Sequence, residues 1–370
     1  MMMASRTSGS FRAAAIWLLA TVANAGPAVK VLNGSYEGIH LPQLGQDIFL
    51  EIPYAQDTGG ENRFRVPQAF NEAWNGTRFA QAYSNACHDF QPDADAAYGM
   101  GEDCLSISIV RPIGIPENKT LPVAVWIHGD SYQVGTSGRP NYNLTWLVQR
   151  PVAIGKHIVA TSINYRKGGW GMLYSREIQG SDETNPSHRD MRKALAWISE
   201  NMASAMDFSI AAFKSRDLLR PRVDGDIIPN YTTELLHSGR FAHIPHMYGS
   251  NSDEGTDNAP TKIFSTDENI YDYLLGSAGY DFPSNVVRKI MALYPDDPAQ
   301  GIPLNTGDER FAAQSHQYKR PAAIIGDVLY RATRLDDARH YAKHSPTYIY
   351  RFNTRPFVNG TNATFTNHVG

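Results

Sequence analysis

The chain has 370 residues, 42% of them apolar, with 34 Lys and Arg against 37 Asp and Glu and a formal charge of -3. That balance excludes a basic footprint for nucleic acid or an anionic membrane, and the apolar fraction is enough for a sizeable core. The chain is longer than the roughly 100–200 residues usual for one domain, but single α/β domains run longer still, so length does not divide it.

The first 25 residues differ from the rest. Arg6 and Arg12 precede an apolar run from Ala13 to Ala23, and Ala23-Asn24-Ala25 offers a small-residue cleavage site before Gly26. This is the pattern of a secretory signal peptide, and the run is shorter than the ~20 apolar residues of a spanning helix. No stable membrane anchor is expected, and the predicted location is extracellular. Seven Asn-x-Ser/Thr sequons, at Asn33, Asn75, Asn118, Asn143, Asn230, Asn359 and Asn362, agree with secretion and mark candidate glycosylation sites.

From Gly26 to about Arg111 the sequence predicts short strands and turns punctuated by Pro53, Pro67 and Pro92. The only two cysteines are Cys87 and Cys104. In an oxidising compartment they read as a disulfide, whose short loop is worth about 3 kcal/mol by chain entropy. Two thiols without a clustered His pair do not complete a tetrahedral zinc shell, so no metal site is expected. Leu121–His128 and Ile158–Tyr165 are almost wholly apolar runs that suit central strands of a mostly parallel sheet. In Ser187–Met202, Met191, Leu195, Ile198 and Met202 fall at helical spacing. Alternating strand and helix patterns predict an α/β fold. No third central strand is legible between Met202 and the loop beginning at Pro221. Beyond it, Pro245–Gly249 reads as a strand end, Ile270–Ala278, Val286–Tyr294 and Ala322–Tyr341 as helices, and Thr347–Phe352 as a strand rich in aromatic and β-branched residues.

Seven stretches in order then resemble one family. They are Ile52-Pro53-Tyr54-Ala55 with Arg63-Phe64; Glu102-Asp103-Cys104-Leu105-Ser106-Ile107; Trp126-Ile127-His128-Gly129; Asn164-Tyr165-Arg166 with Gly168-Gly169-Trp170-Gly171; Asp190-Met191-Arg192 with Ala194-Leu195 and Trp197; Asp224-Gly225-Asp226 with Ile228-Pro229; and Gly249 through Thr256. Together they are similar to the type B carboxylesterase/lipase family, in its fungal secreted branch. The resemblance implies an α/β-hydrolase fold, a central mostly parallel sheet flanked by helices, over residues 26–370. It implies the Cys87–Cys104 disulfide, two buried ion pairs (Arg63 with Glu102, Arg166 with Asp190), and ester hydrolysis without a cofactor. Small-molecule or lipid esters are the implied substrates, and the sequence is silent on oligomeric state.

Ester hydrolysis on this fold uses a serine on a strand-to-helix elbow, then an acid, then a histidine, in that chain order, with backbone N–H donors for the oxyanion. The resemblance places the acid at Glu254, beside Asp253, and the oxyanion turn at Gly129-Asp130-Ser131. Asp130 stands where the family has glycine, so strain and a repulsive carboxylate are expected there. No serine has glycine two residues before and two after it. Ser131 and Ser137 have only the first glycine. Ser277 has only the second and follows the acid, and Ser204 and Ser209 have neither. The family's elbow belongs between the Asp190–Trp197 helix and the Asp224 loop, so the sequence predicts an internal deletion near residues 203–220 that takes the central elbow strand with it. The resemblance places the histidine base beyond Gly370, which leaves His368, His243 and His246 outside that role.

Three readings follow: an ester hydrolase that is inactive as written, a non-catalytic secreted binding or adhesion protein on the same fold, or a gene-model or pseudogene product that does not fold. The segment between Cys87 and Cys104 is short and polar, which favours soluble or short-acyl esters over an oil interface if the chemistry is restored.

Overall fold

The computed structural model describes residues 26–90, 98–116, 119–202, 221, 223–277 and 282–353. The expected leader, and the stretch where the elbow deletion is expected, therefore lie outside the described residues. At the start, Ala28–Val31 folds back antiparallel on Gly34–Glu37, which in turn pairs in parallel with Thr77–Phe79.

The main sheet has five strands: β1 (Ile39–Leu41), β2 (Gln46–Pro53), β3 (Ser106–Pro112), β4 (Val123–Ile127) and β5 (Val159–Ile163), in spatial order β1-β2-β3-β5-β4. The two apolar runs of the sequence become β4 and β5. Every residue of β5 is buried, as suits a strand with neighbours on both sides. β4 is the edge strand among the described residues, and Trp126 on it is exposed. Three of the four pairings in this sheet are antiparallel; only β4 with β5 is parallel. Connection explains the mixture. Between β4 and β5 runs a helix, α1 (Leu144–Ala153), whose crossover makes parallel pairing possible. Asn143 caps it, accepting a hydrogen bond from Thr145 N at 3.0 Å.

Helix α2 (Pro186–Asn201) starts with proline at its first position. Its most buried residues are Asp190, Ala194 and Ile198, one turn apart. The stripe predicted from Met191, Leu195, Ile198 and Met202 is thus rotated by about one residue. A carboxylate stands at its centre because Arg166 meets it there, and apolar periodicity cannot register a charge. Ala194 and Ile198 join Phe49, Ile52, Ile107 and Ile163 in the main core.

After residue 221 come α3 (Thr232–His237), β6 (His246–Asn251), α4 (Ser284–Leu293), α5 (Lys319–Gly326), α6 (Ala332–Tyr341) and β7 (Thr347–Phe352). β6 and β7 pair in parallel, apart from the main sheet among the described residues. The helix predicted over Ala322–Tyr341 is continuous, α5 and α6 being joined by a π-helical stretch at Asp327–Arg331. A second core, built on Phe264, Leu274, Val287, Tyr318, Ile324 and Ile325, holds α4 and α5 together.

Candidate active site

The chain leaves β4 through His128 and enters a turn with an unusual backbone. Asp130, Ser131 and Tyr132 have φ of 69°, 63° and 61°, three successive left-handed residues without a glycine among them. Each costs about 1 kcal/mol relative to glycine, so the strain expected at Asp130 extends over three positions. The Asp130 carboxylate is less hostile than the sequence suggests, because Arg139 forms an ion pair with it. Tyr132 O accepts from Gly168 N at 2.6 Å, which ties the turn to the Gly168-Gly169 motif.

His128 is buried beneath this turn, stacked on Tyr165 at 4.4 Å, and its main-chain oxygen accepts from Tyr165 Oη at 2.7 Å. Burial first, then the Lys167 ammonium, pushes its imidazole down to about 3, so it stays neutral. Gly135 passes so close that a Cβ there would lie 2.8 Å from His128 Nδ1, and its φ of 112° admits only glycine comfortably. Gly135 N donates to Asp89 Oδ2 at 3.2 Å, while Gly135 O accepts from Lys167. Lys167 and Asp89 form a buried ion pair that sequence reading missed.

Arg166 meets Asp190 through two bonds, Nε to Oδ2 at 2.9 Å and Nη2 to Oδ1 at 2.6 Å, and both side chains are buried. Arg63 and Glu102 also form a two-bond pair, at 2.6 and 2.7 Å. This pair is not buried: the Arg63 side chain is 52% exposed. It joins two surface turns, unlike the first pair, which is covered by α2. Cys87 and Cys104 form a disulfide between buried residues.

Glu254 follows β6 directly. Its Oε1 accepts from Asn251 N at 2.7 Å, and it lines a cavity of about 570 Å3 together with Ser252, Arg320, Asp327, Arg331 and Arg351. Its neighbour Asp253 is buried and accepts from Leu304 N at 3.1 Å, a role in holding the chain rather than facing the cavity. Gly255 is demanded by packing, since a Cβ there would lie 1.8 Å from Ala322 O on α5. The Ser252 hydroxyl lies 2.9 Å from Asn353 Oδ1 and 2.8 Å from Arg351 Nε, held in place rather than beside a base. The Asp224 carboxylate accepts from Ile228 N, Asp226 N, Thr184 Oγ1 and Asn185 Nδ2 at 2.8 to 3.0 Å. Arg189 on α2 pairs with Asp226 at 2.9 Å. The Asp224 loop is thereby clasped to the N-terminal end of α2.

Of the remaining sequence candidates, His246 begins β6 and His243 stacks on His344 at 4.1 Å. Ser277 ends the irregular turn Tyr273–Ser277. Ser204, Ser209 and His368 lie outside the described residues. Among the sequons, Asn75 and Asn143 are exposed. Asn33 Nδ2 instead donates to Phe70 O at 2.7 Å, so that amide is engaged in the fold. Asn230 Nδ2 donates to Glu234 at 2.9 Å, and Asn118, Asn359 and Asn362 lie outside the described residues.

Comparison with known proteins agrees with this layout. The carboxylesterase family matches residues 25–205. Lipase 1 of Geotrichum candidum is 27% identical over 456 residues, covering 88% of this chain and 79% of the relative. The inactive carboxylesterase-like protein VdtD of Byssochlamys spectabilis is 33% identical over 165 residues, which is 43% of this chain and 28% of that protein. The crystal structure of Aspergillus niger EstA superposes with a TM-score of 0.69 at 21% identity, covering 89% of this chain and 78% of the other, and so shares the fold. The chain belongs to the type B carboxylesterase/lipase family, on an α/β-hydrolase fold.

Proposed function

We propose that this chain is a carboxylic ester hydrolase by descent that is catalytically silent as written: a Ser-His-Glu plan that keeps the acid, Glu254, and lacks the serine. The observation that carries the reading is the stretch between α2 and the Asp224 loop, where the resemblance puts the nucleophile elbow and no serine has flanking glycines. Triad members act as a unit, so a chain without its serine retains only weak binding effects.

Two further observations support an internal deletion. The alignment with lipase 1 runs over 456 positions, whereas 88% of 370 residues is about 326, so about 130 positions have no counterpart in this chain. Strands β4, β6 and β7 also expose large apolar side chains, among them Trp126, Met247, Ile349 and Phe352, as strands do when a neighbour is missing. The disulfide and the leader support an extracellular location. If the elbow were restored, the polar disulfide loop favours short-acyl or soluble esters.

A second reading, a non-catalytic secreted binding protein, is favoured by one feature. The oxyanion turn has lost its glycine at Asp130 as well, so two parts of the machinery have departed together. A fluorophosphonate probe with a p-nitrophenyl butyrate assay tests silence: neither labelling nor turnover is expected, and stoichiometric labelling of a serine would sink the reading. Sequencing the transcript from the codon of Ala160 onward separates the alternatives. An extra segment with a Gly-x-Ser-x-Gly elbow makes the full-length product an esterase, and a transcript that reads as given leaves the binding protein.

A further inference from the structure

Helix α3 ends at His237, and α6 presents Asp336 and His340 one turn apart on the same face. His237 Nε2 lies 2.8 Å from Asp336 Oδ2, and His340 Nδ1 lies 3.5 Å from Asp336 Oδ1. The two imidazoles stack with centroids 4.6 Å apart. One ligand atom from each of the three side chains lies within 4.8 Å of the others. Two imidazoles and a carboxylate form a donor set suited to first-row divalent metals, above all zinc, with a coordination position left for water.

We propose that His237, Asp336 and His340 form a zinc-class metal site that clamps α3 to α6, separate from the esterase machinery. Metal binding replaces the His237–Asp336 hydrogen bond and turns the stacked rings until their in-plane donors lie about 2.0–2.1 Å from the ion. His340 Nδ1 also lies 2.9 Å from Asp336 O, a contact that holds the ring over the preceding turn of α6. His237 is exposed and the other two are half-buried, which gives an ion a path in. The cluster uses no thiol, and His237 and Asp336 are 99 residues apart, a proximity that only the fold creates.

Zinc titration of the tag-free chain by calorimetry, with cobalt(II) visible spectra, tests the site. One zinc per chain is expected, with a cobalt spectrum of four- or five-coordinate intensity and a thermal midpoint raised by zinc. Loss of a mere outer-sphere partner costs about 10–100-fold in metal affinity, so His237→Ala should weaken zinc by about 100-fold or more. Asp336→Asn can keep the hydrogen bond to His237; it should retain the metal-free thermal midpoint but lose the zinc-induced rise. The nearby His243–His344 stack is the internal control, and the His243→Ala/His344→Ala double variant should bind zinc unchanged. Absence of stoichiometric binding at micromolar zinc, binding that survives both His237→Ala and Asp336→Asn, or binding lost in the control variant overturns the proposal.

Discussion

Lys167 Nζ and Asp89 Oδ2 lie 3.3 Å apart with both side chains closed off from solvent. Asp89 sits two residues after the disulfide Cys87, Lys167 follows the Arg166 that binds Asp190, and Gly135 joins them by donating to one and accepting from the other. The disulfide loop, the segment after β5 and the chain just after the Asp130–Tyr132 turn therefore converge on one buried charge pair. Removing either member strands the other charge in the interior, at about 3–5 kcal/mol. Asp89→Asn and Lys167→Met should each lower the unfolding free energy by that amount. The double replacement should cost clearly less than the sum, because no lone charge remains. Urea denaturation of the three variants measures this; additive losses would mean that the two residues are not coupled.

His128 makes the stability pH-dependent. Its imidazole titrates at about 3 when folded, against 6.5 when free. Between those values the unfolded chain binds a proton that the folded chain refuses, so stability falls as pH falls. The contribution is intact above 6.5, and about 2 kcal/mol is gone by pH 5, at ~1.4 kcal/mol per unit. His188, lowered mainly by burial, acts in the same direction. Unfolding free energy measured from pH 7.5 to 5 should show this slope, and His128→Gln should flatten most of it. An unchanged slope in that variant would assign the effect to other groups.

The sequence made the fold legible because it depends on local patterns: apolar runs for β4 and β5, and short motifs around Arg166, Asp224 and Glu254. It did not reveal what depends on contact. Apolar periodicity left Asp190 off the buried stripe, and only the family resemblance paired it with Arg166 in the interior, whereas Arg63 and Glu102 were expected there too and lie at the surface. Asp253 and Glu254 are adjacent carboxylates in sequence, but one is buried against Leu304 and the other lines the cavity. Asp89 and Lys167 belong to no motif, and nothing local marks them.

Asp224 holds its own loop to the N-terminal end of α2. Partial burial raises its carboxyl, but the donors Ile228 N, Thr184, Asn185 and Asp226 N more than offset this and bring it down to about 2. Because the folded value is depressed, the stabilisation is present above pH ~4 and is lost as pH falls towards 2. The site is partly open to solvent, so about 1 kcal/mol is expected after allowance for screening. Asp224→Asn should show that loss at pH 7 and converge with the unsubstituted chain near pH 2. A constant difference across the range would mean that shape, rather than charge, matters there.

The three left-handed residues after Gly129 share one backbone strain but differ in what their side chains do, so glycine substitution should give three different outcomes. Ser131 is exposed at φ 63°. Relief of about 1–2 kcal/mol of strain exceeds the added freedom of the unfolded chain, about 0.4–1 kcal/mol, so Ser131→Gly should stabilise by about 0.5–1 kcal/mol. Asp130→Gly gains the same relief but leaves Arg139, only 18% exposed, without its carboxylate, and should come out near zero. Tyr132→Gly removes a ring packed 6.3 Å from Tyr165 and 5.4 Å from His188. Losing that packing should outweigh the relief and destabilise by about 2–4 kcal/mol. Denaturation midpoints of the three variants give the order directly. If Ser131→Gly falls with Tyr132→Gly, the turn is not strained and its conformation is what the non-glycine residues prefer.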